Sequence, residues 1–350
     1  MKKLLLFLGI IFGSLVMVSC EEKTPVAEEP KEIVTTIVQE LSKIDIEIEE
    51  TYTLQYIVKA NPGMTVSSDD IEVVTVGENN LLTGIKAGET TITLKLNEKK
   101  QIVPIKVYEK GALSSSFSFD KERLAGKKAI AFGDSVTANG TIGGAPTYFN
   151  VFVNTFEMKK GKNYAIGGTT ATYMYEGSNI YKEYATNSVA IDGVRVVKQA
   201  YDNNELASVD YVFIAYGHND QYFQPPITVA GDDVYDVNSF DSCHSFKGSY
   251  RYMINTLKLA NPNVRIIILG CTYSEYDKTI TMRYGTKYNY SDYRQAISEI
   301  AEEFDLTYID PWEFLKPFFD AYDTKAIYKD SVHLSAAGHK ILGDYICDYR

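Results

Sequence analysis

Residues 127–135 read KKAIAFGDS, an apolar run that stops abruptly at a glycine, an aspartate and a serine. A run of this length indicates a buried strand, and the residues after it indicate a turn. Two interpretations fit the turn. Gly, Asp and Ser are common in plain turns because of their local hydrogen bonding. Alternatively, the strand ends there to present Ser135 as a nucleophile at its carboxyl end.

Apolar runs and helix-like segments alternate over the rest of residues 120–350. The apolar runs are residues 129–132, 163–166, 211–215, 265–269 and 306–309, and amphipathic segments near 148–158, 191–201, 249–260 and 293–304 lie between them. Continuous apolar strands alternating with helices predict a parallel sheet that is covered on both faces. The expected fold class is therefore α/β, with a doubly wound, five-stranded parallel sheet flanked by helices. Ligands of such sheets bind beyond the carboxyl ends of the strands.

Those strand ends carry the side chains that ester cleavage requires. The reaction needs a nucleophile, a base, a group that orients the base, and donors at the developing oxyanion. In chain order the candidates are Ser135 as nucleophile, Gly168 and Asn219 as backbone and side-chain N–H donors, Asp330 as orienter and His333 as base. A glycine lets its backbone N–H face a substrate with no side chain in the way. A further helix is expected to begin near Ser335.

Four short blocks resemble the SGNH (GDSL-type) hydrolase family and occur in the family's order. They are residues 133–135 (GDS), 163–168 (NYAIGG), 217–220 (GHND) and 330–333 (DSVH), and the resemblance covers residues 120–350. It implies an SGNH/flavodoxin-like fold and a carboxylic ester hydrolase with Ser135, His333 and Asp330 in the three catalytic roles. It also implies an oxyanion hole formed by the N–H groups of Ser135 and Gly168 with the Asn219 amide. Gly167 is the neighbouring alternative, and Gly168 is preferred because the family's donor glycine precedes Thr or Asp-Thr.

Other residue patterns limit the chemistry further. No His/Cys set has zinc spacing and no glycine loop is built to cradle phosphate, so we predict neither a metal nor a cofactor. The net charge of −11 argues against a nucleic-acid partner. Three cysteines follow Cys20, an odd number that excludes a fully paired disulfide framework. His218 is placed on an extended segment, with its side chain pointing away from that of Asn219.

The first twenty residues, MKKLLLFLGIIFGSLVMVSC, resemble a bacterial lipoprotein signal whose lipobox ends at Ser19-Cys20. The resemblance implies cleavage after residue 19 and lipidation of Cys20, and hence a protein of the cell envelope anchored to a membrane by lipid. An ordinary secretory signal that happens to contain a cysteine is the alternative. Residues 20–32 are acidic and contain prolines, which predicts a flexible tether.

Residues 33–110 show short alternating strands, such as residues 44–48 and 91–96, separated by turn residues. The pattern predicts a small all-β sandwich ahead of a hydrolase domain over residues 111–350. Residues 66–96 resemble the second group of bacterial immunoglobulin-like domains, through residues 67–69 (SSD), 74–76 (VTV) and 83–88 (TGIKAG). Such domains are spacers or adhesive modules, and no catalytic constellation occurs in this segment.

The combined hypothesis is a lipid-anchored serine esterase that removes O-acyl groups, acetyl especially, from a carbohydrate. Several of the 27 tyrosines fall in segments expected to rim the site, where they would stack on sugar rings or pack in the core: Tyr148, Tyr173, Tyr175, Tyr222, Tyr273, Tyr276, Tyr284 and Tyr288. Lysophospholipids or general short-chain esters are the alternative substrates. An acyltransferase and a catalytically dead envelope adhesin or scaffold are the alternative functions.

Overall fold

A computed structural model describes residue 41 and residues 43–112, 119, 121–138, 144–179, 181, 192–274, 287–321 and 324–349. The expected signal sequence, Cys20 and the acidic tether lie outside the described residues. No described helix combines the length and the hydropathy that a membrane span requires. The described residues all belong to one compact unit, residues 36–350.

Residues 44–108 form two β-sheets around a small core. The strands are β1 Ile44–Glu47, β2 Thr51–Thr53, β3 Thr65–Ser68, β4 Val74–Val76, β5 Leu81–Gly84, β6 Gly88–Leu96 and β7 Lys99–Tyr108. One sheet has the order β1-β7-β6-β3 and the other β2-β5-β4. Alternate side chains of β1, Ile44 and Ile46, are buried, as the period-two pattern predicts. A short helix that the pattern does not predict, α1 Gln55–Ala60, adds Ile57 to the same core.

Residues 128–309 contain a five-stranded sheet that confirms the predicted α/β class. Its strands are β8 Lys128–Gly133, β9 Lys159–Asn163, β10 Tyr211–Ala215, β11 Arg265–Leu269 and β12 Thr307–Ile309. They are parallel throughout and follow the order β12-β11-β10-β8-β9. Strands β9 and β10 flank β8, so the chain passes from β8 to β9 on one side of it and then crosses to β10 on the other side. Ligands of doubly wound sheets bind at this reversal, beyond the carboxyl ends of the two strands.

Helices flank the sheet and pack against one another. The described helices are α2 Lys121–Leu124, α3 Tyr148–Thr155, α4 Gly193–Asp202, α5 His218–Phe223, α6 Phe246–Ala260, α7 Tyr290–Glu303, α8 Trp312–Ala321, α9 Thr324–Ile327 and α10 Ala336–Cys347, with a 3₁₀ turn at Asp241–His244. Helix α3 packs against α10, and α6 packs against both α4 and α7. Ser335 begins α10 as predicted, because its hydroxyl accepts the N–H of Gly338.

The position predicted for the second parallel strand is wrong. The apolar run at residues 163–166 suggested a strand there, but β9 is the polar segment Lys159–Asn163, four residues earlier in the chain. Within the part of the chain that the structure describes, strand β9 lies at the edge of the sheet and pairs with β8 alone. An edge strand keeps part of its surface in contact with water, so it needs no continuous apolar run. Residues 164–166 instead lead from the strand into the glycine loop.

The β-sheets of residues 44–108 are attached to the α/β part through a buried ion pair. Lys127 Nζ lies 3.2 Å from Asp45 Oδ2, and the two side chains are only 9% and 10% exposed. Burial lowers the pKa of the Lys127 ammonium, against the opposing attraction of Asp45 and Asp210. A second link is the hydrogen bond of 3.0 Å that Asn263 Nδ2 donates to the Thr53 carbonyl. The β-sheets therefore pack on the α/β part through specific contacts.

Asp45→Ala should lower the free energy of unfolding by about 3 kcal/mol, because it leaves the buried Lys127 ammonium without its ion-pair partner. Chemical denaturation of the full chain measures the change. The control is Glu89→Ala, which removes the partner of Lys106 in an ion pair whose glutamate is 73% exposed and should have little effect. Equal stability losses in the two variants would show that the Lys127–Asp45 pair does not hold the two parts together.

Candidate active site

The turn after β8 is shaped by the side chain of Asp134. Its Oδ1 accepts the N–H of Val136 at 2.9 Å, and its carbonyl accepts the N–H of Ala138 at 3.0 Å. These bonds fold the chain tightly around Ser135, which is partly exposed while Asp134 is buried. Burial raises the pKa of the Asp134 carboxyl to about 7. Asp134 is thus a structural residue of the turn that presents Ser135.

Ser135, His333 and Asp330 form one chain of hydrogen bonds. His333 Nε2 lies 2.8 Å from Ser135 Oγ, and His333 Nδ1 lies 2.8 Å from Asp330 Oδ2. An ionised carboxylate only accepts hydrogen bonds, so Nδ1 carries the proton and Nε2 is left to accept from the serine hydroxyl. That tautomer suits a base acting on Ser135.

The side chain of Asp330 is held in place by backbone N–H groups two and three residues later in the chain. Its Oδ1 accepts the N–H groups of Val332 at 2.9 Å and His333 at 2.7 Å. Burial acts to raise the pKa of Asp330, but the hydrogen bonds from His333 and Val332 outweigh it and hold the pKa below its usual value. The carboxylate therefore stays ionised at neutral pH. Its position orients the imidazole through the Nδ1 proton.

The loop after β9 carries the two candidate glycines and passes beside Ser135 at Gly167. Gly168 has a φ of +82°, a conformation that glycine adopts without strain. A Cβ placed on Gly167 would lie 3.6 Å from Ser135 Cβ, so the loop runs directly against the nucleophile. The Thr169 hydroxyl donates to the Ile166 carbonyl at 2.7 Å and closes the loop.

Asn219 lies in the first turn of α5, just beyond β10, and is joined to the same loop. Its Nδ2 donates to the Thr169 carbonyl at 2.8 Å. Gly217 before it has a φ of +139°, and a Cβ there would come within 2.6 Å of Cys271 Sγ. Only glycine fits this approach, and it allows α5 to start where Asn219 faces the loop. Gly168 and Asn219 are thus connected through Thr169.

Asp220 is a buried residue of the site to which the sequence analysis assigned no role. It accepts hydrogen bonds from Ala171 N–H at 2.8 Å, Thr172 N–H at 3.0 Å and the Thr172 hydroxyl at 2.7 Å. Burial raises the pKa of its carboxyl to about 6. The one sequence signal was its place in the GHND block, directly after Asn219.

His218 begins α5, so the prediction that it lies on an extended segment is wrong. Its ring is buried between Tyr290 Oη, 3.1 Å from Nδ1, and Thr272 Oγ1, 3.0 Å from Nε2. Burial, with a smaller contribution from nearby His333, lowers the pKa of His218 to about 3. The ring is therefore neutral and lies inside the protein, where it supports the start of the helix.

The remaining site predictions concern lipidation and metals. Cys20, the predicted lipidation site, lies outside the described residues. The three later cysteines, Cys243, Cys271 and Cys347, are free thiols. Within the described ranges, no group of three or more His, Cys, Asp or Glu side chains is arranged to hold a metal ion.

Comparison with protein families adds one finding for the α/β part. Residues 131–341, more than half of the 350-residue chain, match the family model described as the GDSL-like lipase/acylhydrolase family. The matched segment begins in β8 and ends within α10, so it includes all four blocks of the sequence. None of the curated proteins matches the chain.

Several solved structures are similar to part of the chain at low sequence identity. A protein from Lactobacillus plantarum is 16% identical, with a TM-score of 0.44, over 63% of this chain and 94% of that one. An acetylxylan esterase from Geobacillus stearothermophilus, solved as a catalytic mutant, is 20% identical, with a TM-score of 0.42, over 64% and 94% of the two chains. A protein from Parabacteroides merdae is 14% identical, with a TM-score of 0.41, over 64% of this chain and 95% of that one.

Proposed function

The chain belongs to the GDSL-like lipase/acylhydrolase family, and on this premise we propose that it is a serine esterase with Ser135 as its nucleophile. The observation that carries the proposal is the hydrogen-bonded chain from Ser135 Oγ through the His333 imidazole to Asp330. A turn without a catalytic role would not require a serine hydroxyl that contacts a neutral imidazole nitrogen, with the other ring nitrogen bound to an ionised carboxylate. The partly exposed Ser135 lies at the reversal of strand order, where a ligand can reach it.

The proposed reaction follows from which groups donate and which accept. Ser135 Oγ attacks the ester carbonyl while its proton moves to His333 Nε2. Asp330 stabilises the imidazolium through Nδ1. The N–H groups of Ser135 and Gly168 with the Asn219 amide stabilise the oxyanion. His333 then protonates the leaving alcohol, and water activated by the same base releases the acyl group from Ser135.

Labelling with a fluorophosphonate tests the proposal against the alternative of a catalytically dead scaffold. The reagent phosphonylates an activated serine, so the wild-type protein should be labelled at Ser135, as located by peptide mass spectrometry. The control is Ser135→Ala, in which no serine should be labelled. A folded wild-type protein that resists labelling would support the scaffold, and labelling of a different serine would contradict the assignment of the nucleophile.

The proposed substrates are O-acyl esters of a carbohydrate, acetyl esters especially. The support is a set of half-buried tyrosines on the elements that follow Gly168 and Asn219, namely Tyr173, Tyr175 and Tyr222. Tyrosine rings present an apolar face and a polar hydroxyl, a combination that suits sugar rings. Tyr148 and Tyr273 lie in the core, Tyr288 is half-buried, and Tyr276 and Tyr284 lie outside the described residues.

Product analysis distinguishes this substrate class from its alternative. The enzyme should release acetate from acetylated glycans faster than it releases fatty acid from lysophospholipids. The reverse preference would favour a lysophospholipase, and transfer of the acyl group to an added alcohol in preference to water would favour an acyltransferase.

We also propose that the protein is anchored in the cell envelope, with residues 33–110 as an immunoglobulin-like spacer between anchor and enzyme. The lipobox-like end at Ser19-Cys20 supports the anchor, and the two β-sheets of residues 44–108 are compatible with such a spacer. A membrane attached through Cys20 and an acylated polysaccharide are the proposed partners.

Cys20→Ala should abolish incorporation of a clickable fatty acid in bacterial cells and release the protein into the soluble fraction, because Cys20 is the proposed acceptor of the lipid. The control is Cys347→Ala, which removes a later thiol and should leave labelling intact. Continued labelling of Cys20→Ala would refute the lipoprotein assignment.

A further inference from the structure

Asn219 and Asp220 hold successive parts of the same loop. They are neighbours on α5, so their side chains leave the helix about 100° apart. Asn219 binds the Thr169 carbonyl, and Asp220 binds the backbone of Ala171 and Thr172. Gly168 comes directly before these anchored residues. The start of α5 and the glycine loop therefore form one hydrogen-bonded unit.

We propose that Asp220 is a positioning residue that sets the geometry of the oxyanion hole by fixing the Gly168 loop to α5. The inference rests on the proposed esterase function, because it assigns the oxyanion to the Gly168 N–H and the Asn219 amide. Asp220 is buried, and its hydrogen bonds go to Ala171 and Thr172, so it would act on the reaction through the loop that carries Gly168.

The three contacts of Asp220 require a carboxylate. All three partners donate: two are the backbone N–H groups of Ala171 and Thr172, and the third is the Thr172 hydroxyl, 2.7 Å from Asp220 Oδ1. An asparagine at this position has one acceptor oxygen and an NH₂ group that only donates. Whichever way its amide is turned, one backbone N–H of the loop loses its acceptor. A substitution of nearly identical size therefore loosens the loop.

Helix α4 also holds this loop, and one of its contacts provides a matched comparison. The Thr170 carbonyl accepts the N–H of Gly193 at 2.7 Å, and Asp192 Oδ2 accepts the N–H of Met174 at 3.0 Å. Asp192 is also a buried carboxylate and caps α4 by accepting the N–H of Arg195. It differs from Asp220 in being anchored to α4 and not to the helix that carries Asn219.

The test is the kinetics of Asp220→Asn in the full chain with a small soluble acetyl ester. A small displacement of aligned donors is costly, so kcat should fall roughly 10- to 100-fold while KM stays near the wild-type value. Inhibition by a small boronic acid, whose tetrahedral adduct with Ser135 mimics the transition state, should weaken by a similar factor. Unchanged kcat, or a loss confined to KM, would overturn the proposal.

Asp192→Asn separates positioning from general loosening of the fold. It should lower the melting temperature as Asp220→Asn does, yet leave kcat and boronic acid affinity close to those of the wild type. An equal loss of kcat in the two variants would overturn the specific role of Asp220.

Thr172→Val removes only the hydroxyl contact and should give a smaller loss of kcat at constant KM. If Asp220→Asn does not fold, Thr172→Val becomes the test of the proposal. An unchanged kcat in Thr172→Val would then overturn it.

The wild-type protein distinguishes failure of this inference from failure of the proposed function. Absence of both esterase turnover and Ser135 labelling in the wild type would refute the proposed function and, with it, this role. Normal turnover and Ser135 labelling combined with an unaffected Asp220→Asn variant would refute the role of Asp220 alone.

Discussion

Ser135→Ala and His333→Ala should each reduce kcat by roughly 10⁵- to 10⁶-fold, to near the background rate. The first variant removes the atom that attacks the ester. The second leaves the serine hydroxyl without the nitrogen that lies 2.8 Å from Oγ and accepts its proton. Because the two groups act as one unit, the double variant should be little worse than either single variant. Hydrolysis of a chromogenic acetyl ester measures all three rates.

Asp330→Asn provides a graded comparison within the same series. Asparagine can hold the imidazole but cannot stabilise the imidazolium, and its NH₂ group favours the wrong tautomer. The expected loss is smaller, about 10⁴-fold. Appreciable activity in Ser135→Ala, or additive losses in the double variant, would contradict the assignment of nucleophile and base.

Asn219→Ala should reduce kcat by about 10²- to 10³-fold, or roughly 3 kcal/mol of transition-state stabilisation. The loss should appear in kcat more than in KM, since the amide faces a charge that is present only in the transition state. A boronic acid should also bind more weakly to this variant. Steady-state kinetics with the soluble ester and inhibition constants measure the two effects.

Asn263→Ala is the matched control for Asn219→Ala. Asn263 also donates its side-chain N–H to a backbone carbonyl, that of Thr53, but it precedes β11 and lies at the amino end of the sheet. The control should retain wild-type kcat. If Asn219→Ala raised KM with kcat unchanged, the amide would bind the substrate and would not belong to the oxyanion hole.

Much of the α/β fold could be predicted because its signals are local. Strands β10 and β11 coincide with the apolar runs at residues 211–215 and 265–269, since a strand that is buried on both faces needs apolar residues throughout. The helix start at Ser335 could be predicted because capping depends on a side chain and the backbone three residues later. The GDS, GHND and DSVH blocks are equally local, because each requires a particular residue order within one turn.

The chemistry that these blocks could perform could also be predicted from their residue types. The positions of their side chains relative to one another could not. Ser135 and His333 are 198 residues apart, and only the parallel sheet brings their turns within hydrogen-bonding distance. Burial likewise depends on what the rest of the chain places around a residue. It moved the pKa of His218 down to about 3, and no feature of the GHND block indicates that.

The sequence by itself thus determined the fold class, the candidate nucleophile, base and orienter, and the expectation of an anchored enzyme. Tertiary structure decided three things: that β9 is the polar edge strand, that Lys127 is buried against Asp45, and that Asp220 supports the Gly168 loop. The physical reason is the same in each case. A hydrophobic period or a turn residue acts over a few neighbouring positions, whereas edge placement, desolvation and long-range hydrogen bonds exist only once distant segments have packed together.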